Sequence, residues 1–386
     1  MKKLFFPFAI ISALFVTSCS SDDDDNGGTT ETADGIITSV TDVDFNPSKL
    51  EGSVQGNITL NASTAYTLTG ALTVEDGYTL TIEAGTVVKA EAGGTDVYIA
   101  IKQGAKIDAQ GTASAPIKFT SATTAPTAGD WGGIMIIGKA KTNAGSEAMT
   151  EVAGIAYGGD NDADNSGVLK YIITEYTGAR IDGLSEFNGI TFYAVGSETT
   201  VENIVVRHTD DDGIEFFGGT VDVNNVLIVN NKDDMFDWTE GYTGTLTNLY
   251  GIREAGYEDV TEDPRGIEGD SNSNNNAATP VAFPTINNIS IVNKSSITMS
   301  DAIKIRRGSG AIISNAYIYS SASGFSDVID LSDSSGDAAP TTNIDYTVEG
   351  GLDGSDVNNP VEATLTESTS NSGTATSVFS WTGYSF

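Results

Sequence analysis

The 386-residue sequence has one cysteine, one histidine and few basic side chains, and each scarcity excludes a class of protein. Because Cys19 stands alone, no disulfide can form within the chain. His208 has no second histidine or nearby cysteine with which to complete a zinc site. The 19 basic residues are outnumbered by 53 acidic ones, for a formal net charge of −34. Such a surface repels nucleic acid and favours cations, basic partners or neutral polymers.

Long apolar runs are also nearly absent, and the one candidate lies at the N-terminus. Leu4 to Val16 follows a basic start and is too short to span a bilayer. The run closes with Val16-Thr17-Ser18-Cys19, which resembles the lipobox of bacterial lipoproteins. We therefore predict a signal peptide over residues 1–18 and a lipidated Cys19, whose acyl chains would bind a membrane with about 0.8 kcal/mol per buried CH2 group.

The segment after the signal peptide is acidic and polar, and residues 19–36 are predicted to be a flexible tether. Its run Asp22-Asp23-Asp24-Asp25 resembles the export signal that sends Bacteroidetes lipoproteins to the outer leaflet of the outer membrane. That resemblance implies a lipid-anchored, surface-exposed protein, whereas the alternative is a plain solvated linker. The remaining residues, 37–386, are predicted to form a single domain.

Beyond the tether the sequence lacks helical periodicity and is dense in short strands. Between Gly56 and Thr120, short runs of alternating apolar residues are separated by turn pairs such as Asp76-Gly77 and Ala84-Gly85. Runs of this kind indicate an all-β fold, either a solenoid or a sandwich.

A repeat decides between those two folds. Asp211 to Phe216 and Asp233 to Trp238 share an acidic turn followed by an apolar–charged–apolar strand, at an offset of 22 residues. Looser copies occur at Arg265 to Glu268 and at Asp301 to Ile305. A fixed period in the low twenties is typical of stacked coils, so we predict a parallel β-solenoid with coils of about 22–26 residues.

Stacking places equivalent residues of successive coils in columns about 4.8 Å apart, and alternation turns the middle residue of each core strand outward. The outward column is predicted to run Thr191, Glu215, Asp237, Glu268, Lys304 and Asp330. Three positions earlier, the turn column runs Asn188, Asp212, Asp234, Arg265, Asp301 and Asp327. Loops inserted near 139–165 and 253–284 are expected on one flank, where solenoids commonly bind ligands.

Several motifs together resemble a family of Bacteroidetes surface lipoproteins. The motifs are Gly129-Asp130-Trp131-Gly132-Gly133, Asn165 to Tyr171, Asp211 to Gly219, Asp233 to Gly241 and Arg265 to Glu268. The resemblance covers nearly all of the chain after the tether and implies a right-handed parallel β-helix. It bears on fold and location and does not imply an activity.

Carboxylates stacked at this spacing need compensation, since unit charges about 4–5 Å apart repel by several kcal/mol at an effective dielectric near 20. A bound cation, protonation, or nearby Arg265, Lys304 and Arg306 can each supply it. Calcium is the sharpest hypothesis, because hard oxygen ligands suit its coordination. The alternative is a structural ladder whose turn carboxylates accept backbone N–H groups. The predicted calcium ligands are Asp212, Glu215, Asp234 and Asp237.

A catalytic hypothesis competes with the metal site. Asp211-Asp212 and Asp233-Asp234, followed by Lys304 and Arg306, loosely resemble the polygalacturonase arrangement, which implies paired acid and base aspartates and a basic group for the sugar acid. The sequence departs from it at Pro264-Arg265-Gly266, where a Gly-His-Gly coil would be expected. A lyase route would instead use calcium, with Lys304 or Arg306 as the base.

Binding without catalysis is the function that the sequence favours. Three aromatic residues near the acidic columns are predicted to be exposed platforms for sugar rings, and a long solenoid flank suits an extended polymer. The expected ligand is a glycan or matrix polymer, with calcium as a bridging ion. The alternatives are a polysaccharide hydrolase or lyase, and a scaffold that binds a basic partner in the envelope. The predicted ligand-binding residues are Tyr193, Glu215, Phe217, Asp237, Tyr242 and Glu268.

Overall fold

The computed structural model describes residues 33–146, 148–181, 185–321 and 324–386. The predicted signal peptide and Cys19 lie outside them. Within the described residues, the chain forms 25 β-strands and one short 3-10 helix, Thr376–Thr382. Neighbouring strands of successive coils pair in parallel along the whole stack. The architecture is a right-handed parallel β-helix, which confirms the fold that the repeat and the resemblance predict.

Nine strands build the N-terminal coils, and their side chains alternate between the interior and solvent. In β4, Tyr66, Leu68, Leu72 and Val74 are buried, whereas the threonines between them are only partly covered. These strands are β1 (Ile36–Ile37), β2 (Leu50–Val54), β3 (Ile58–Leu60), β4 (Tyr66–Val74), β5 (Thr79–Ile82), β6 (Val87–Ala90), β7 (Ile99–Ile101), β8 (Lys106–Gln110) and β9 (Ile117–Ser121).

From β10 onward each coil contributes one shorter and one generally longer strand, and the two kinds stack in separate columns. The first column comprises β10 (Ile134–Ile137), β12 (Ile190–Tyr193), β14 (Ile214–Phe217), β16 (Phe236–Thr239), β18 (Ile267–Gly269), β20 (Met299–Ile305), β22 (Phe325–Asp330) and β24 (Val357–Asn358). The second comprises β11 (Gly167–Glu175), β13 (Thr200–Arg207), β15 (Val223–Val229), β17 (Thr245–Arg253), β19 (Thr285–Asn293), β21 (Ile312–Ser320), β23 (Asn343–Glu349) and β25 (Thr364–Glu367).

The register of the first column follows the sequence repeat. Ile190, Ile214 and Phe236 are aligned neighbours, at intervals of 24 and 22 residues (214 − 190 and 236 − 214). Ile303 and Ile329 are aligned at an interval of 26 (329 − 303). All five side chains are buried in the interior. The coil length expected from the repeat is therefore confirmed wherever no loop interrupts it.

An asparagine ladder turns the long strands through a corner of the coil. Asn203, Asn225, Asn248, Asn288 and Asn315 all have φ between 58 and 61°, a left-handed conformation that asparagine tolerates better than most residues. Each amide donates to the preceding one along the stack, at 2.7–3.0 Å. Each strand begins two or three residues before its asparagine and bends at the amide.

The C-terminal tail, residues 371–386, folds back along the long-strand column. The backbone N–H groups of Ser372 and Gly373 donate to the Asn315 side chain, closing the end of the ladder. Thr374 Oγ1 lies 2.7 Å from the carbonyl oxygens of both Leu249 and Asn288. Phe379, in the 3-10 helix, is completely buried against this face. The tail therefore joins strands from several coils.

Candidate functional site

The acidic columns border a recess of about 290 Å³ on the flank formed by β14, β16 and β18, called the acidic basin below. Ten carboxylic acids and three arginines line it. The acids greatly outnumber the cations in a partly enclosed space, so their mutual repulsion must be relieved. The lining residues are Glu151, Arg180, Glu186, Asp211, Asp212, Glu215, Asp233, Asp234, Asp237, Asp263, Arg265, Glu268 and Arg306.

Strand register builds the floor of the basin. Glu215, Asp237 and Glu268 are direct neighbours in the middle of β14, β16 and β18, and the same column continues to Lys304 and Asp330. The predicted outward column is therefore confirmed from one end to the other. Its members are covered more than expected, since Glu215 is only 9% exposed. The loop between β10 and β11 contributes Glu151 to the rim, which encloses the column.

The turn column supplies a second row of carboxylates. Asn188 Oδ1 accepts the backbone N–H of Asp212 at 3.3 Å, and Asp212 Oδ1 accepts that of Asp234 at 2.8 Å. The structural-ladder hypothesis is thus correct for Asn188 and for one oxygen of Asp212. It does not extend to Asp234, whose side chain is 6% exposed and whose Oδ1 has no hydrogen-bond partner among the described residues.

Three carboxylates at the centre of the basin lack a basic partner. Oxygens of Asp212, Glu215 and Asp237 lie within 4.8 Å of one another. No ion pair from a described residue reaches any of the three, although Asn188 Nδ2 donates to Glu215 at 2.5 Å. Burial raises the pKa of all three carboxyl groups well above the ordinary range, and neighbouring carboxylates raise it further. The charges of Arg306 and Arg265 offset only part of this rise at Asp237. We call these three residues the central triad.

The adjoining part of the basin is neutralised by two arginines. Arg265 lies 2.6 Å from Glu268, 3.1 Å from Asp301 and 3.8 Å from Asp234. Arg306 lies 2.5 Å from the same Glu268. Compensation by Arg265 and Arg306, one of the options considered from the sequence, therefore applies to the Glu268 end and leaves the central triad unpaired.

Both residues considered as a lyase base are held in ion pairs. Lys304 contacts Asp330, and Arg306 also contacts Asp270 at 2.8 Å. Burial lowers the pKa of Arg306, but Glu268 and Asp270 more than reverse that effect and raise it above the ordinary value. These contacts stabilise the charged forms, whereas a base must be able to act without its proton.

Asp211 and Asp233 form the outer edge of the basin. Oxygens of these two residues and Asp212 lie within 4.8 Å of one another. Arg180 contacts Asp211 at 2.8 Å and reaches over this edge. Burial raises the pKa of Asp211, and the charge of Asp233 raises it further despite Arg180. The pair has the proximity and the shifted protonation that acid–base chemistry uses.

The predicted aromatic platforms are wrong. Tyr193 and Phe217 do face away from the main core, but the first insert, residues 138–166, folds over them and buries both with Tyr157. Tyr242 lies in the main core, where its ring stacks on Phe216 at 4.4 Å between centroids. Phe216 and Trp238, which follow the outward residues of β14 and β16, are buried in the main core.

Besides Asp263, which lines the basin, four residues that sequence reasoning missed contribute to the site. Arg180 and Glu186 lie on a loop paired through an isolated bridge, and Glu151 lies in the first insert. Arg253 is completely buried at the end of β17 and donates to the carbonyl of Asn231 at 3.2 Å. None of the four belongs to the outward column or the turn column, so the sequence repeat does not point to them.

Comparison with protein families identifies the class of this chain. The family model described as a pectate-lyase-like β-helix domain matches residues 52–384. The chain therefore belongs to that family, which is consistent with a protein related to polysaccharides. The comparison with curated proteins and that with solved structures each returned no match. Among the described residues, no helix is long and apolar enough to cross a membrane.

Proposed function

We propose that this protein binds an extended glycan through a calcium ion held in the acidic basin. The observation that carries the proposal is the central triad, three enclosed carboxylates within 4.8 Å of one another that form no ion pair with a described residue. At about 4 Å, two such charges repel by about 4 kcal/mol at an effective dielectric of 20. A divalent cation converts that repulsion into attraction.

Calcium suits the chemistry of the donors. It takes six to eight oxygen ligands, and carboxylates are the ones it uses most. Asp212, Glu215 and Asp237 supply the first three oxygens. Asp234 is the source of a fourth, because one of its oxygens lies within 4.8 Å of an oxygen of Asp237 and its Oδ1 has no hydrogen-bond partner among the described residues. The basin opens to solvent, so remaining positions are available to hydroxyl or carboxylate groups of a sugar.

The glycan part of the proposal rests on the family and on the shape of the fold. A stacked solenoid presents a long flank, which fits a polymer, and the family match relates the chain to polysaccharides. Because Tyr193, Phe217 and Tyr242 are buried, ring stacking on these residues is not the mode of binding. Glycan contact in the basin instead uses the cation and the carboxylates around it.

We further propose that the protein is lipid-anchored at Cys19 and exposed at the cell surface. The support is the basic start, the short apolar run and the cysteine that closes it. Fatty-acid labelling of the full-length protein, lost in Cys19→Ala, is the expected result. Labelling that persists in this variant, or no labelling at all, contradicts the anchor.

Calcium titration by calorimetry tests the basin directly. The full-length protein, stripped with chelator, is compared with Asp237→Asn and with Asp327→Asn. Asp327 is a matched control, because it belongs to the turn column but lies two coils beyond the basin, paired in register with Asp301. We expect micromolar binding that Asp237→Asn abolishes and Asp327→Asn preserves. Retention on polysaccharide beads should then depend on calcium in the same way.

A failed titration has a clear meaning. No calcium binding by the chelator-stripped wild type, with the same melting temperature in calcium and in chelator, removes the cation from the proposal. Equal binding by Asp237→Asn removes the central triad as its location.

Polysaccharide hydrolysis is a second candidate, favoured by the closeness of Asp211 and Asp233 and by the raised pKa of Asp211. In this role one carboxyl would act as acid and the other as nucleophile or base. New reducing ends released from a polysaccharide panel, and lost in Asp233→Asn, are the expected result. Binding without release of reducing ends leaves the non-catalytic proposal as the better account.

A further inference from the structure

A second recess, of about 420 Å³, lies beside the acidic basin. The first insert borders both: Glu151 lines the basin, whereas Met149 and Tyr157 line the second recess. The opposite wall comes from residues 270–284, the part of the insert predicted near 253–284 that follows β18. We call residues 270–284 the second insert. We call this recess the amide pocket, because Asn143, Asn272, Asn274 and Asn275 surround it.

Two asparagines clamp the inserts together. Asn143 Nδ2 donates to the carbonyl oxygens of Ser271 and Pro280, at 2.9 and 2.8 Å. Asn272 Nδ2 donates back to Asn143 Oδ1 at 2.9 Å. The sequence marks this stretch only as a polar, low-complexity run, yet Ser271 and Asn272 are buried. The walls of the pocket are therefore fixed by hydrogen bonds.

The same clamp presents unused amide groups to the pocket. Asn272 Oδ1 accepts the backbone N–H groups of Asn274 and Asn275, both at 2.9 Å, which sets the direction of the loop. Asn274 Oδ1 and Asn275 Nδ2 make no hydrogen bond to the described residues, and both side chains are exposed. One acceptor and one donor are thus held in place before any ligand arrives, which lowers the entropy cost of binding.

The remaining walls select for a ligand without charge. Glu240 accepts the hydroxyl of Tyr157, and none of the described residues that line the pocket is basic. An anionic sugar would meet a carboxyl group and no compensating cation. Ala144, Ala148 and Met149 add small apolar surfaces next to the amides. Amides combined with apolar surface match the hydroxyl groups and C–H faces of a neutral sugar.

We infer that the amide pocket is a subsite for a neutral sugar residue of the glycan that reaches the acidic basin. Asp237 in the basin and Glu240 in the pocket are three residues apart at the end of β16. Glu240 follows the last residue of β16, and three residues of chain separate two Cα atoms by at most about 11 Å. This inference rests on the proposed function, since it assigns part of the same ligand.

The test uses neutral disaccharides as probes: cellobiose, chitobiose and mannobiose, with a digalacturonate as the charged comparison. Binding to the full-length protein is followed by ligand-observed NMR in the presence of chelator, so that the basin carries no cation. Asn274→Ala/Asn275→Ala removes the two free amides, and Ala144→Trp fills the pocket. Ala277→Trp is the matched control, because Ala277 is exposed on the same loop but does not line the pocket.

We expect at least one neutral disaccharide to bind in chelator and the digalacturonate not to bind. The double alanine variant should weaken that affinity about tenfold or more, the loss expected for two hydrogen bonds. Ala144→Trp should abolish binding, whereas Ala277→Trp should preserve it. No binding of any neutral probe, or binding unaffected by Ala144→Trp, overturns the subsite. Calcium-dependent polysaccharide retention that survives in both pocket variants refutes the subsite but leaves the proposed function standing.

Discussion

One column of aligned residues carries two different chemistries. At one end, Glu215 and Asp237 lie among further carboxylates with no basic partner. At the other end, Lys304 contacts Asp330 in the next coil. Glu268 lies between the two ends and takes two arginines, Arg265 and Arg306. The fold can therefore neutralise this column with side chains, and among the described residues it does so at Glu268 and Asp330 but not at Glu215 and Asp237.

The difference separates carboxylates whose repulsion is offset by basic side chains from carboxylates whose repulsion is left for a ligand to offset. Buried ion pairs offset the cost of taking charges out of water, as at Lys304 and Asp330. Leaving Asp212, Glu215 and Asp237 unpaired lowers stability, so the same sequence would be more stable with a lysine among them. Function is the usual reason for keeping such a cost.

Breaking the compensated end should give the largest effect. Arg265→Ala leaves Asp234, Glu268 and Asp301 with one cation fewer in a buried setting. We expect the free energy of unfolding to fall by about 3–5 kcal/mol, measured by urea denaturation. Lys170→Ala is the control, because its pair with Glu202 is about one third exposed and should matter little. An equal effect of both variants would contradict the buried compensation described for Arg265.

Filling the uncompensated end should stabilise the protein. Calcium at 100 times its dissociation constant is expected to raise the free energy of unfolding by about 2.7 kcal/mol, seen as a higher melting temperature. Asp237→Asn should remove this response and, in chelator, melt above the wild type because one repelling charge is gone. A variant that melts lower in chelator would show that Asp237 has a stabilising partner.

In chelator, acidity should stabilise both ends of the site. Burial raises the pKa of Asp301 to about 6 and of Glu151 to about 7, and the central triad shifts in the same direction. The folded state therefore binds more protons than the unfolded one, and stability in chelator falls as the pH rises from 4 to 7. The slope is about 1.4 kcal/mol per pH unit for each such proton.

Calcium should flatten this profile, because it replaces the protons in the central triad. Thermal melts across the pH range, with and without calcium, give the measurement. Stability in chelator that rises with pH over this range would contradict the upward shifts.

The smallest effect is expected at Asp327. Its carboxyl belongs to a group with Asp301 and Asp330, but Arg265 and Lys304 already neutralise those two. Asp327→Asn should change the free energy of unfolding by no more than about 0.5 kcal/mol and leave the calcium response intact. A loss of that response would place the cation at the compensated end of the column.

The columns could be predicted from the sequence because strand alternation and a 22-residue offset determine register without any tertiary information. Thr191, Glu215 and Asp237 are aligned as the pattern requires. The burial of Tyr193 and Phe217 could not be predicted. Both face outward as the alternation implies, and they are buried only because an insert without periodicity folds over them.

The same limit applies to the cations of the site. Arg265 stands in the repeat and was recognised as a source of compensation. Arg180 lies on a loop and Arg253 at the end of β17, both outside the outward and turn columns, and from there they contact Asp211 and Asp233. Side chains that do not belong to the repeating unit cannot be identified from the repeat.

The backward course of the C-terminal tail has a consequence for the kinetics of unfolding. The coils of a solenoid can unfold one at a time, starting from a free end. Here the last coils cannot open in that way, because Thr374 is bonded to β17 and β19, several coils earlier. Opening the C-terminal end requires the tail to be released first, and its release exposes Phe379 and the face beneath it. Removal of residues 371–386 should therefore accelerate proteolysis of the terminal coils, as a time course of limited digestion would show.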